Sequence, residues 1–183
     1  MGKIIGIVIM IAVVVIYTFS IRAKFADIDE SNEKKYLYSL TARDEIEEQL
    51  INNYPDSPEE VVNIYSEIFR HIYSEVAKPD SIIESVHLLR LLYAEELINL
   101  NPIEEQIDNV LEEVELYQDK GNYIIGSTID KVVYQQNNTV VITVTHTLIH
   151  QSIEKEYTLI QQDGKWVIYN LRDKESANEG VSD

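Results

Sequence analysis

No charged residue interrupts the run from Ile4 to Ile21, which Lys3 precedes and Arg22 and Lys24 follow. This run constrains the chain more than any other feature, because it has no polar face with which to pack as a surface helix. Twelve of its residues are Ile, Val or Phe, each favouring insertion into a bilayer by about 0.3 to 0.6 kcal/mol. The sum, about 4 to 7 kcal/mol, meets no charged group to oppose it. At about 1.5 Å per residue the run spans about 27 Å, slightly less than a hydrocarbon core, so the flanking cations would snorkel toward headgroups. The competing reading is a cleaved signal peptide. Thr18-Phe19-Ser20 gives only a weak cleavage pattern, and the apolar run exceeds the usual signal core. We therefore expect a retained transmembrane anchor over residues 1–22, with the lipid bilayer as its partner through Ile4 to Ile21. Counting Lys and Arg favours a cytoplasmic C-terminal side, whereas the tiny basic tail of an N-terminal signal anchor favours delivery outward. The reading taken is a single-pass protein of the cell membrane whose domain is extracytoplasmic.

The rest of the chain has room for one domain: a juxtamembrane stalk over 23–40, an α+β domain over 41–173 and a polar tail over 174–183. There is no cysteine, which excludes disulfides, thiolate catalysis and Cys-ligated zinc. A formal net charge of -17 excludes nucleic acid as a partner, since a phosphate backbone requires a basic face.

Within the domain, Thr41 with Asp44 three residues on resembles an N-cap opening a short helix that ends near Asn53. Ser57, Pro58 and Glu60 form a stronger start, with cap, first-turn proline and capping-box acid in order. Behind them Val61, Ile64, Tyr65, Ile68, Phe69, Ile72, Tyr73 and Val76 recur at helical spacing. Ser81 and Glu84 cap the next helix, which is apolar almost all round as far as Leu97 and so is buried on most sides. Asn101-Pro102 stops it and opens another, with a stripe from Ile103 to Tyr117 and Gly121 at its end.

After Gly121 the period becomes two. Val140, Ile142, Val144, His146 and Leu148 share one face of a strand, and Thr143, Thr145 and Thr147 the other. A strand over Ile124 to Gln135 precedes it, turning at Gln136-Asn137-Asn138. Two more follow, joined by Asp163-Gly164, the strongest short-range hairpin signal. Short turns between consecutive strands imply antiparallel pairing. The fold class expected is α+β, with three to four helices packed on a four-stranded antiparallel curved sheet.

Capped helices followed by a meander that ends in Asp163-Gly164-Lys165-Trp166-Val167-Ile168 resemble the nuclear transport factor 2-like fold. In that superfamily a curved sheet wraps a long helix to form a cone. More narrowly, three stretches resemble an uncharacterised family of small single-pass proteins from Gram-positive anaerobes. They are Tyr54-Pro55 with Ser57-Pro58-x-Glu60-Val61-Val62-x-x-Tyr65, Glu95-Glu96-Leu97-Ile98-x-x-Asn101-Pro102, and the Asp-Gly-Lys-Trp hairpin. The resemblance implies a fold and an anchor but no chemistry.

The cone of such folds can hold a catalytic carboxylate or histidine. His146, between Val144 and Leu148 on the apolar face, is the best candidate, although a hydrogen-bonded core histidine is the commoner outcome. Tyr65 and Tyr157 are pocket-lining candidates beside it, with the face of Tyr157 left open. His150 shares the parity of His146 only if the strand stays regular; His71 and His87 read as surface residues, and Glu112, Glu113 and Glu115 as a solvated face. No catalytic residue, metal site or cofactor is assigned, and no pair of titratable groups with separated pKa values can be named. The reading therefore leans away from an enzyme. It favours a membrane-anchored, non-catalytic binding or assembly module whose partner is another envelope protein or a second copy. The alternative is a small-ligand-binding protein, or an isomerase- or dehydratase-like enzyme using the cone interior.

Overall fold

The computed structural model describes residues 35–36 and 40–174. The chain divides into a unit Met1–Ser39, of which only Lys35 and Tyr36 are described, both helical, and a unit from Leu40 onward. The predicted anchor, most of the stalk and nearly all of the tail lie outside the described residues. Among the described residues no helix is long and apolar enough to cross a membrane.

Five helices precede four strands in the described chain: α1 over 40–52, α2 Pro58–Ile72, α3 Pro79–Arg90, α4 Glu95–Leu100 and α5 Ile103–Asp119, then β1 Ile124–Tyr134, β2 Thr139–Leu148, β3 Ser152–Gln162 and β4 Lys165–Asp173. The strands form one antiparallel sheet in the order β1-β2-β3-β4. The first and last turns of the sheet carry backbone that favours Asn, Asp or Gly: Asn137 and Asn138 have φ of 63 and 53°, Asp163 and Gly164 of 51 and 79°.

Helix starts account for much of the helical layer. Ser57 Oγ accepts the Glu60 backbone N–H at 3.2 Å, and Pro58 fills the first turn. Glu60 reaches back one residue further than a capping box requires, to the Asp56 N–H. Several boundaries depart from expectation, α3 among them, since it opens at Pro79 with Ser81 inside its first turn rather than at its cap. Residue 40 is already helical, so Thr41 is not a cap. Helix α2 stops at Ile72 rather than near Val76, and the Tyr73 carbonyl accepts the Ile124 N–H that opens β1. The apolar helix expected from Ser81 to Leu97 is two helices. Between them Tyr93 pairs in parallel with Ile168, Ala94 N–H donates to the Ile168 carbonyl and Ile168 N–H to the Leu92 carbonyl, both at 2.8 Å. A continuous helix could not offer those groups to β4. Asn101 caps no following helix; its amide donates to the Leu97 carbonyl and closes α4.

The core lies between α2 and the inward face of the sheet. Val140, Ile142, Val144 and His146 are fully buried and Leu148 nearly so, as the alternation predicts. Opposite them Val61, Val62, Ile68 and Ile72 come from α2. On the other face Thr147 is exposed but Thr143 is buried, since its cross-strand partners are the long side chains of Lys131 and Glu156. Substituting Ile142→Ala is expected to lower unfolding free energy by about 2–5 kcal/mol, against less than about 0.5 kcal/mol for Val133→Ala on the half-open outer face. Urea denaturation of both variants checks this.

Candidate functional site

The three residues singled out in the sequence converge. Tyr65 on α2 meets Tyr157 on β3 edge to face, with ring centroids 5.0 Å apart. His146 lies 2.8 Å from the Tyr157 hydroxyl through Nε2. Phe69, one turn along α2 from Tyr65, meets the imidazole at 5.0 Å and Tyr73 at 4.5 Å, both with tilted rings. Tyr157 therefore faces inward and is fully buried.

The second nitrogen of His146, Nδ1, is 2.8 Å from Ser127 Oγ on β1. Ser127 is the cross-strand partner of His146 but is exposed, because β1 is the outermost strand. Both imidazole nitrogens are thus occupied, one donating and one accepting in the neutral ring. Burial, and then the Lys155 ammonium, lower the His146 pKa to about 4. Burial also pushes the Tyr157 and Tyr65 hydroxyls well above their ordinary range. Lys155 itself turns inward, its Nζ 5.7 Å from the Phe69 ring centroid and paired with Asp173.

Ser127, His146 and Tyr157 have the connectivity of nucleophile, base and orienting group. Their electrostatics oppose that use. A base that activates serine must become imidazolium, which a carboxylate normally stabilises. Here a neutral tyrosine takes the carboxylate's place, and the acting charge is a cation. Lowering the pKa from 6.5 to about 4 disfavours the imidazolium by roughly 3 kcal/mol.

Two of the clefts outside this cluster border the sheet. One, of about 410 Å³, runs between α2 and β1 and is lined by Asn63, Ser66 and Arg70 on one side and Gly126, Ser127 and Thr128 on the other. The second, of about 390 Å³, is lined by Glu113, Tyr117, Lys155 and Asp173 among others; Glu113 accepts the Tyr73 hydroxyl. Tyr65, His146 and Tyr157 line neither cleft. The first cleft reaches His146 only through Ser127.

The other histidines stay apart. His150 lies past the end of β2, exposed, and makes no pair with buried His146. His87 is exposed. His71, expected at the surface, is half-buried, and burial followed by the charges of Arg70 and Arg43 lowers its pKa to about 4. Sequence reasoning passed over Arg70 and Ser127. Asn63, Ser66, Glu67 and Arg70 recur at helical spacing opposite the apolar stripe, which was a legible signal. Ser127 was not legible, because a register shift between Ile124 and Gly126 sets its face.

A family described as a domain of unknown function, DUF6715, matches residues 1–170. No curated protein matches the chain. Among solved structures, one described as an NTF2-like transpeptidase from Campylobacter jejuni is 15% identical, with a TM-score of 0.41, covering 62% of this chain and 99% of that one. The intermembrane space region of the chloroplast protein ARC6 is 13% identical, also with a TM-score of 0.41, covering 64% of this chain and 94% of that one.

The low pKa of His146 has a pH signature. An unfolded histidine titrates near 6.5, so between that pH and about 4 the unfolded chain holds a proton that folded His146 does not. Stability is therefore complete above about pH 6.5 and falls as pH drops toward 4, by on the order of 3 kcal/mol for this residue. His71 acts in the same direction. Urea midpoints measured from pH 7 to 5, above most carboxylate titration, are expected to decline, and to decline less in His146→Gln.

Proposed function

The chain belongs to the DUF6715 family of domains of unknown function, and from that premise we propose that it is a membrane-anchored, non-catalytic binding or assembly module. The observation that carries this reading is the filled interior. Where a cone-shaped enzyme would keep a substrate cavity, Tyr65, Phe69 and Tyr157 interlock and both nitrogens of His146 are engaged. The two clefts that border the sheet are open grooves. Exposed grooves suit contact with another macromolecule better than sequestration of a reacting molecule.

Anchoring rests on the run from Ile4 to Ile21, whose favourable insertion of about 4 to 7 kcal/mol no charge offsets. In this reading the domain lies outside the cell membrane and its partner is another envelope protein. A tether confines the search for that partner to the membrane plane and raises effective concentration.

One feature favours the alternative, an enzyme or small-ligand carrier: the hydrogen bond between exposed Ser127 and buried His146. A fluorophosphonate probe separates the two readings. Labelling at or below the level of Ser127→Ala is expected, and labelling that this substitution abolishes would establish an activated serine. The direct test is chemical crosslinking of the full-length chain in its native membrane, followed by affinity recovery. One reproducible envelope protein is the expected result. Recovery of a small molecule alone would replace this function with the alternative.

A further inference from the structure

We propose that the cleft between α2 and β1 is a docking groove for an extended peptide segment of a partner protein, which adds to the sheet alongside Gly126–Ile129 and places an acidic side chain against Arg70. This rests on the binding-module reading and gives it a surface and a partner chemistry.

The two margins of the sheet are treated differently. At β4 the segment from Leu92 to Ala94 takes up the backbone of Ile168. At β1, among the described residues, Ile125 to Tyr134 make no backbone hydrogen bond beyond the ladder to β2. An edge of this kind is a template for another strand, and natural sheets blunt such edges with bulges and charges. Strand β1 has both devices, at either side of one short stretch. Its register shifts fall between Ile124 and Gly126 and between Ile129 and Lys131, and Asp130 with Lys131 follows. Two stretches pair regularly with β2, Gly126 to Ile129 and Lys131 to Tyr134, and the first of them lines the cleft. At roughly 3.3 Å per residue it offers backbone pairing to about four residues of an incoming chain.

The opposite wall is the polar stripe of α2. Asn63, Glu67 and Arg70 are exposed there. Arg70 has no hydrogen bond or ion pair among the described residues. Its planar fork matches a carboxylate bidentately. On the floor, the Ser127 hydroxyl is held by His146, which Tyr157 holds in turn. The buried histidine thus acts as a positioning residue: it fixes a hydroxyl at the base of the groove without touching the ligand. A Cβ at Gly126 would meet nothing within 4 Å, so the space beside the strand is unfilled. Helix wall, strand edge and a few polar anchors together make the geometry of strand addition, in which main-chain pairing supplies affinity and side-chain contacts supply selectivity.

The test uses the full 183-residue chain, held in detergent micelles, against a bead-displayed library of random octapeptides. Enriched peptides are expected to carry an acidic residue flanked by β-branched ones. Their dissociation constants should rise about tenfold or more with Arg70→Glu and by less with Arg70→Lys, as expected for loss of a charge-assisted pair. N-methylation of the central peptide bonds should abolish binding. Circular dichroism confirms that these surface variants stay folded. No enrichment over bare beads, or binding indifferent to both Arg70→Glu and N-methylation, would overturn the proposal. Peptide binding with these dependences but no crosslinked envelope protein would support the groove and sink the envelope-partner reading. A crosslinked partner captured equally by Arg70→Glu, without library enrichment, would do the reverse.

Discussion

The apolar stripe of α2 lies against the inward face of β2 and β3, and the rest of the domain takes its position from that contact. Ile68, Ile72, Ile142 and Leu159 are buried there almost completely, each contributing roughly 1.5–3 kcal/mol relative to exposure. Because side chains in a strand alternate, the same packing that buries Val144 and Leu148 also carries His146 inside. The register of β1 against β2 then decides that Ser127 is the group available to it. The polar network follows from the apolar one.

A histidine in such a place costs less than its polarity suggests. Near pH 7 an ordinary imidazole is mostly neutral, so no proton has to be surrendered on burial. What remains is the desolvation of two nitrogens, and each has a hydroxyl at 2.8 Å. Losing either hydroxyl would leave a buried nitrogen unpaired, which costs about 1–3 kcal/mol. The arrangement stiffens the interior and holds one exposed serine in a single orientation, with no need for the ring to titrate.

Periodicity made most of this legible. The inward set of β2, the α2 stripe and the hairpin at Asp163-Gly164 all follow from local pattern, and the structure has them where pattern put them. What pattern missed was set by distant partners. Leu91 to Ala94 continue a helical apolar run in sequence, yet their backbone is claimed by Ile168. Val76 suits the helix, but the chain turns at Tyr73, where β1 begins. Tyr157 could not be assigned a face because both faces of β3 carry apolar residues; pairing with Ile142 decides it. His146, Tyr65 and Tyr157 were legible as neighbours, but the groove was not. It depends on bulges in β1, which leave no signature in composition.

The unequal margins of the sheet also bear on how far any assembly can propagate. A sheet open on both sides can recruit strands without limit, as fibrils do. Here Leu92 to Ala94 take the backbone of Ile168 on one side, and two register shifts interrupt the other. A strand docked in the proposed groove would meet the sheet at β1, while at the far margin the Ile168 backbone already has its partners. The two margins are thus chemically unequal, and a lengthening stack of sheets would need the same backbone at both.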